Sequence, residues 1–345
     1  MRLLNTKTRR LEEFADDTPL YAILSHRWGD DEAASHGFTY VWIDTCCIDK
    51  TSSAELSEAI DSMYRWYQEA TVCYAYLADV ECNGYDLQSG TDPHDWFGRG
   101  WMRQELIAPS LVVFFNKSWG KVGTKSTLCS LVSEITGIPD DILTGERNVE
   151  DASVAQRMSW AAWRRTTRAE DRAYCLMGIF GVNMPMLYGE GGTNAFMRLQ
   201  EEILKFSNDH SIFAWSTGGG SSMENYRDLL APSPAYFRNS GWVVEPSEIG
   251  VTVDFSSGTI TVDKRGIHLE LTLRSGKLAS HGDQTVAESL IGLGFGLNVS
   301  NSTEGTPLNM ALQNGQGFTS AAERQLTTAN NFNLEVLADP YGCLV

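Results

Sequence analysis

Short apolar runs that end in polar residues alternate with one amphipathic stretch through the first third of the chain. Tyr21-Ala-Ile-Leu-Ser-His26 reads as a buried strand with polar groups at its carboxyl end, followed by Arg27, Trp28, Gly29 and two aspartates. Tyr40-Val-Trp-Ile-Asp44 repeats the pattern, and Val72–Leu77 and Leu111–Phe115 give a third and a fourth strand. Between the second and third runs, Leu56, Ile60, Met63, Tyr64 and Tyr67 recur at helical spacing as far as Glu69. Ser52-x-x-Glu55 in front of them has the form of a capping box. The segment between the first two strands is short for a crossover carrying a full helix. Residues 1–18 are polar and charged and read as a surface lead-in. Trp101–Ala108 can form about two helical turns before Pro109 stops them.

Further on, 126–136, 153–165, 169–180 and 194–207 look helical. Arg164, Asp171, Arg172 and Tyr174 read there as a solvated charged face, and Thr193 as an N-cap after a glycine-rich turn. Residues 216–222 are rich in Gly and Ser and form a linker or loop. Beyond them 242–244, 251–255, 259–262, 267–273 and 291–297 read as short strands, and 300–330 as a polar tail. The pattern predicts an α/β domain over 1–135 built on a mostly parallel sheet with helices on both faces. A helical extension over 136–215 and a smaller β-rich C-terminal unit over 216–345 follow.

Charge narrows the partners. Among 345 residues, 44 are acidic and 27 basic, a net charge of −17, which argues against non-specific binding to nucleic acid or to an anionic membrane. No run is long and apolar enough for a signal peptide or a membrane span. Seven cysteines, an odd number with Cys46 and Cys47 adjacent and no C-x-x-C, fit reduced thiols in the cytoplasm better than a disulfide framework.

In a parallel sheet, ligands bind outside the carboxyl ends of the strands. Ser25, His26, Asp44 and the segment before Glu105 gather at that edge. Glu105 lies four residues after Trp101, so the carboxylate and the indole share a helix face. Taken alone, the stretch reads first as a short surface helix with a core tryptophan and a solvated glutamate; the rest of the chain shifts that reading toward a site. No phosphate-binding glycine loop, H-E-x-x-H or G-x-S-x-G is present. His26 with Cys46 or Cys47 would make a thiol–imidazole pair, whereas a metal site from His26, Cys46, Cys47 and His94 lacks the usual ligand spacing. A single carboxylate suits cleavage of the glycosidic bond of a nicotinamide nucleotide. That leaving group departs neutral from a cationic ring and needs no acid, while one glutamate holds the ribose and stabilises the oxocarbenium-like transition state.

Y-A-I-L-S-H-R-W-G-D-D-E (21–32), Y-V-W-I-D-T-C-C-I-D-K (40–50) and R-G-W-M-R-Q-E-L-I-A-P (99–109) together resemble the fungal heterokaryon-incompatibility (HET) domain over about 18–135. A-E-D-R-A-Y-C-L-M-G-I-F-G-V (169–182) and M-P-M-L-Y-G-E-G (184–191) resemble the stretch that usually follows it. That domain is similar in turn to the Toll/interleukin-1 receptor (TIR) domain, a flavodoxin-like α/β fold. The resemblance implies Glu105, in its W-x-x-x-E-L block, as the catalytic residue of NAD+ cleavage. Ser25, His26, Arg27, Trp28, Asp44, Tyr64 and Trp101 would line the pocket. NAD+ would be a substrate, with no other cofactor and no metal. The resemblance further implies a role in self/non-self recognition and programmed cell death, with homo-oligomers forming through the α/β domain and a regulatory protein partner. The sequence departs from the family pattern in a short 33–39 segment, in Arg27 for a common threonine, and in Met102-Arg103 for the usual Thr-Leu. A non-enzymatic adaptor working by homotypic assembly is the alternative, and a Cys–His hydrolase the third reading.

Overall fold

The computed structural model describes residues 1–15, 17–26, 37–81, 96–216 and 229–243, and the backbone of five strands between 260 and 336. The chain divides into two compact units, Met1–Asp151 with Trp163–Ala195 and Ala152–Ala162 with Phe196–Val345.

The first unit is built on strands β1 (Arg2–Asn5), β2 (Arg10–Glu13), β3 (Tyr21–Ser25), β4 (Tyr40–Ile43), β5 (Val72–Leu77), β6 (Val112–Asn116) and β7 (Lys121–Thr124). They form one seven-stranded sheet in the order β2-β1-β4-β3-β5-β6-β7. β4, β3, β5 and β6 run parallel at its centre, while β1, β2 and β7 add antiparallel edges. The sheet is therefore mixed, and the first 18 residues are not a surface lead-in. β1 pairs with β4 through Leu4 and Val41, and Leu3 is fully buried. Strands of four residues flanked by basic side chains are too short for period-two alternation to declare them.

Helices α1 (Asp44–Cys47), α2 (Ser53–Glu69), α3 (Met102–Ile107), α4 (Cys129–Thr136) and α5 (Asp140–Thr144) follow; α6 (Val154–Ala161) belongs to the second unit, and α7 (Asp171–Tyr174) and α8 (Met177–Phe180) to the first. Ser52 caps α2 by accepting from the Glu55 backbone, but the box is half made. The Glu55 carboxylate instead takes Arg2 and the Asp49 backbone, tying α2 to β1. The expected 169–180 helix breaks at Cys175 and Leu176 into α7 and α8.

Alternation along the central strands divides the core. Ala22, Leu24, Val41, Val72, Val113 and Phe115 form a cluster on one face, against which Leu4, Tyr74 and Trp119 pack. On the other face Trp42 meets Trp66 and Tyr67 of α2, with ring centroids 5.6 and 5.9 Å apart. That face carries the candidate site.

α8 seats on α2 through Gly178, where a Cβ would fall 2.3 Å from the Tyr64 Cβ. Gly178→Ala is therefore expected to cost about 1–3 kcal/mol, read as a lower urea midpoint. An unchanged midpoint would mean that the contact bears no weight. The turn before α9 (Gly192–Phe206) uses positive φ at Gly189 (102°) and Gly191 (87°), and both amides donate to Glu170 Oε1 at 2.9 and 3.2 Å. Tyr174 is buried together with Glu170, Arg164 and Asp171 are half-buried and Arg172 is exposed, so this charged segment is solvated only in part. α9 starts at Gly192, which places Thr193 inside the helix rather than at its cap.

In the second unit a full capping box at Ser153 and Gln156 starts α6. Gln200 of α9, fully buried, exchanges hydrogen bonds with both backbone groups of Ala231 at 2.8 and 3.0 Å. Residues 242–243 form a turn rather than a strand, and 216–222 and 251–255 lie largely or wholly outside the described residues. Strands β8 (Ile260–Asp263), β9 (Gly266–Leu273), β10 (Phe295–Val299), β11 (Leu308–Asn314) and β12 (Phe332–Val336) form a sheet in the order β10-β11-β12-β9-β8. β11 falls in the stretch read as a polar tail.

Candidate active site at the carboxyl end of β3

Ser25 closes β3 and shares a face with Tyr21 and Ile23. The Tyr21 hydroxyl donates to the Trp66 carbonyl at 2.5 Å, so this is the face that α2 covers. The Ser25 hydroxyl donates to Glu105 Oε2 on α3, and the Trp96 indole N–H donates to Ser25 Oγ at 2.7 Å. An indole only donates, so the serine hydrogen is left for the carboxylate, which must accept. Trp96 is itself held edge-on by Phe97 and Phe114, at 4.9 and 5.8 Å between ring centroids. Ser25 and Glu105 are 2% and 4% exposed, so the pair is enclosed.

Burial pushes the Glu105 carboxyl above its ordinary range; Arg99 and the Ser25 bond oppose this, and Asp44 adds to it. Arg99 is steered there by donating from Nη1 to the His26 carbonyl at 2.7 Å. Burial pushes the His26 imidazole down, Asp44 pulls it up, and Arg99 and Lys50 push it down again. Its Nδ1 is buried and has no hydrogen-bond partner among the described residues. Tyr67 of α2 is held well above its usual value by burial first and by Glu105 next. The edge thus holds a carboxyl biased toward protonation, a neutral-biased imidazole and one guanidinium. Such perturbed groups at a strand edge are a common mark of a reactive site.

Lys125 fixes the far end of α3. Its buried ammonium donates to the carbonyls of Leu106 and Pro109 at 3.1 and 2.6 Å, satisfying carbonyl groups at the end of the helix. Burial lowers its proton affinity to about 8.

Of the residues expected at the site, Ser25 and Glu105 touch, Asp44 stands within electrostatic reach of Glu105, and His26 within reach of Asp44. Asp44 opens α1 and holds Lys50 at 3.5 Å. Tyr64 packs on Gly178, and Trp101 hydrogen-bonds Asp171 on α7; neither has a described bond to Glu105. Arg27, Trp28 and His94 lie outside the described residues. Cys46 and Cys47 have sulfurs 3.9 Å apart, and both contact backbone groups, among them those of Leu4, Val41 and Ile43. No described bond joins either to His26. Among the described residues no group of three or more His, Cys, Asp or Glu is placed to hold a metal ion. Sequence reasoning missed Trp96 and Tyr67. Tyr67 continued the apolar helix period but read as core alone.

Residues 33–93 match the family described as heterokaryon incompatibility protein (HET). The match includes Asp44, Tyr64 and Tyr67 and stops short of Ser25 and Glu105. Residues 194–229 match a domain of unknown function, DUF8212. The chain is also similar to vegetative incompatibility protein HET-E-1 of Podospora anserina, 42% identical over an alignment of 223 residues that covers 54% of this chain. It spans only 16% of that relative's length. No solved structure matches the chain. Together the matches support a resemblance to heterokaryon incompatibility proteins. Among the described residues, no helix is long and apolar enough to cross a membrane.

Proposed function

We propose that this chain acts in vegetative incompatibility, in the cytoplasm, by hydrolysing NAD+ to nicotinamide and ADP-ribose. The observation that carries this reading is the buried Glu105 carboxyl, fed by a directed Trp96–Ser25 relay at the end of a central parallel strand. The parallel strands β4-β3-β5-β6 have the 2-1-3-4 order of flavodoxin-like sheets, which supports treating the first unit as TIR-like. The resemblance to incompatibility proteins supports the biological role. In the reaction the bond between the ribose anomeric carbon and the nicotinamide nitrogen breaks. Its electron pair leaves with neutral nicotinamide, and water supplies the new oxygen and releases a proton. Ionised Glu105 holds the ribose hydroxyls and offsets the positive charge that develops on the sugar. Arg99 keeps that carboxyl closer to ionisation than burial alone would. Homotypic assembly through the first unit and a regulatory partner protein complete the proposal.

Purified chain incubated with NAD+ at high protein concentration is expected to release nicotinamide and ADP-ribose in equal amounts, resolved by chromatography. Intact NAD+ after prolonged incubation of demonstrated oligomers would overturn the proposal. The enclosure of Glu105 favours a second reading, in which the carboxyl is a structural member and the chain signals by assembly without chemistry. That reading predicts intact NAD+.

A further inference from the structure

Arg103 lies two residues before Glu105 on α3, and its surroundings are different. It is 0% exposed, and Nε, Nη1 and Nη2 all lack a hydrogen-bond partner among the described residues. A guanidinium carries five N–H donors and stays charged under ordinary conditions. An isolated buried ion costs several kcal/mol, and native proteins compensate such groups or hold an ion against them. Burial and then Arg164 push the proton affinity of Arg103 well down, so a second cation stands close by.

The backbone dictates that second cation. Gly98–Gly100 pairs with Arg165: the Gly100 amide donates to the Arg165 carbonyl at 2.9 Å, and the Arg165 amide to the Gly98 carbonyl at 2.9 Å. Gly100 permits this approach, since a Cβ there would meet Thr166 Cγ2 at 2.6 Å and Cys175 Sγ at 3.2 Å. The bridge brings Arg164, one residue earlier, beside the start of α3. Its Nη2 donates to the Ile135 carbonyl at 3.3 Å, while its buried Nε has no partner among the described residues. Four shielded guanidinium nitrogens thus sit on two like-charged side chains of paired segments, and no described ion pair includes either residue.

We infer that Arg103 and Arg164 form an internal anion site for a small tetrahedral oxyanion, inorganic phosphate, taken up as the first unit folds. The charge requires an anion, because a neutral ligand would leave two adjacent cations uncompensated. The planar guanidinium fork matches phosphate oxygens two at a time. The enclosure of all four nitrogens selects a small ion over a nucleotide. The site is separate from the Ser25–Glu105 pair and stands whether or not NAD+ is a substrate.

The test uses the full chain. Desalted protein is expected to release about one phosphate per chain on acid precipitation. Its melting temperature should rise by about 5 °C in phosphate at ~100 times the dissociation constant, against chloride at matched ionic strength, and the rise should saturate. Arg103→Met should lose both the bound phosphate and the shift, and should melt no lower than parent refolded without phosphate. Should that variant fail to fold, Arg164→Met is expected to weaken the phosphate response. Arg147→Met, which removes a half-buried arginine paired to Asp141, should keep it. No released phosphate with an equal response to phosphate and chloride, or a shift that Arg103→Met retains in full, would overturn the inference.

Discussion

Glu105→Gln is expected to lower nicotinamide release by roughly 10³-fold or more while making the fold more stable at neutral pH. The two effects have opposite signs for one reason. The carboxyl is held above its usual range chiefly by burial, so ionising it inside the fold is unfavourable. In the unfolded chain it ionises freely above about 4.5. Where both states are protonated the difference vanishes; as pH rises past the unfolded value the native state is penalised, and the penalty is complete above the folded value. Glutamine removes that penalty, and its amide oxygen still accepts from Ser25. The variant should therefore melt higher than the parent at pH 7, and the gap should shrink at pH 4. Turnover needs the negative charge, which glutamine lacks. A variant that melts lower at pH 7 would mean that the carboxylate is a structural keystone rather than a group held for reaction.

Trp96→Ala carries the largest expected stability loss, about 3–5 kcal/mol. The ring is 1% exposed and packed on Phe97 and Phe114, so truncation leaves a cavity above β6. It also removes the donor that orients Ser25, so the loss should reach the site. Trp96→Phe separates these contributions: it keeps most of the packing and loses the N–H, with an expected cost of about 1–3 kcal/mol. Urea denaturation followed by circular dichroism reads both. Equal midpoints for parent and Trp96→Ala would contradict the placement of the ring.

The parallel heart of the first unit was legible because strands buried on both faces read as continuous apolar runs, and because α2 repeats at helical period under a Ser52 cap. The short antiparallel edges were not, since four-residue strands rich in charge carry no periodic signal. The Ser25–Glu105 contact was half legible. Each residue stood at the expected edge, but nothing in the sequence said that serine and glutamate would touch across 80 positions. Trp101 shows the converse limit. Spacing of four put it on the face of Glu105, yet it sits just ahead of α3 at the N-cap position and bonds Asp171. Helical period assigns a face along an element and does not say which neighbour that side chain will reach. Arg103 and Arg164 were invisible as a pair, because the bridge between Arg99 and Arg165 that joins their segments leaves no mark in the sequence.

The most direct test of the account is a nicotinamide time course for the parent chain and Glu105→Gln, prepared in parallel and matched for circular dichroism and oligomeric state. The account predicts steady release by the parent and none above background by the variant. Equal release by both, or none by either, would contradict it and leave the Ser25–Glu105 pair as an interior hydrogen bond.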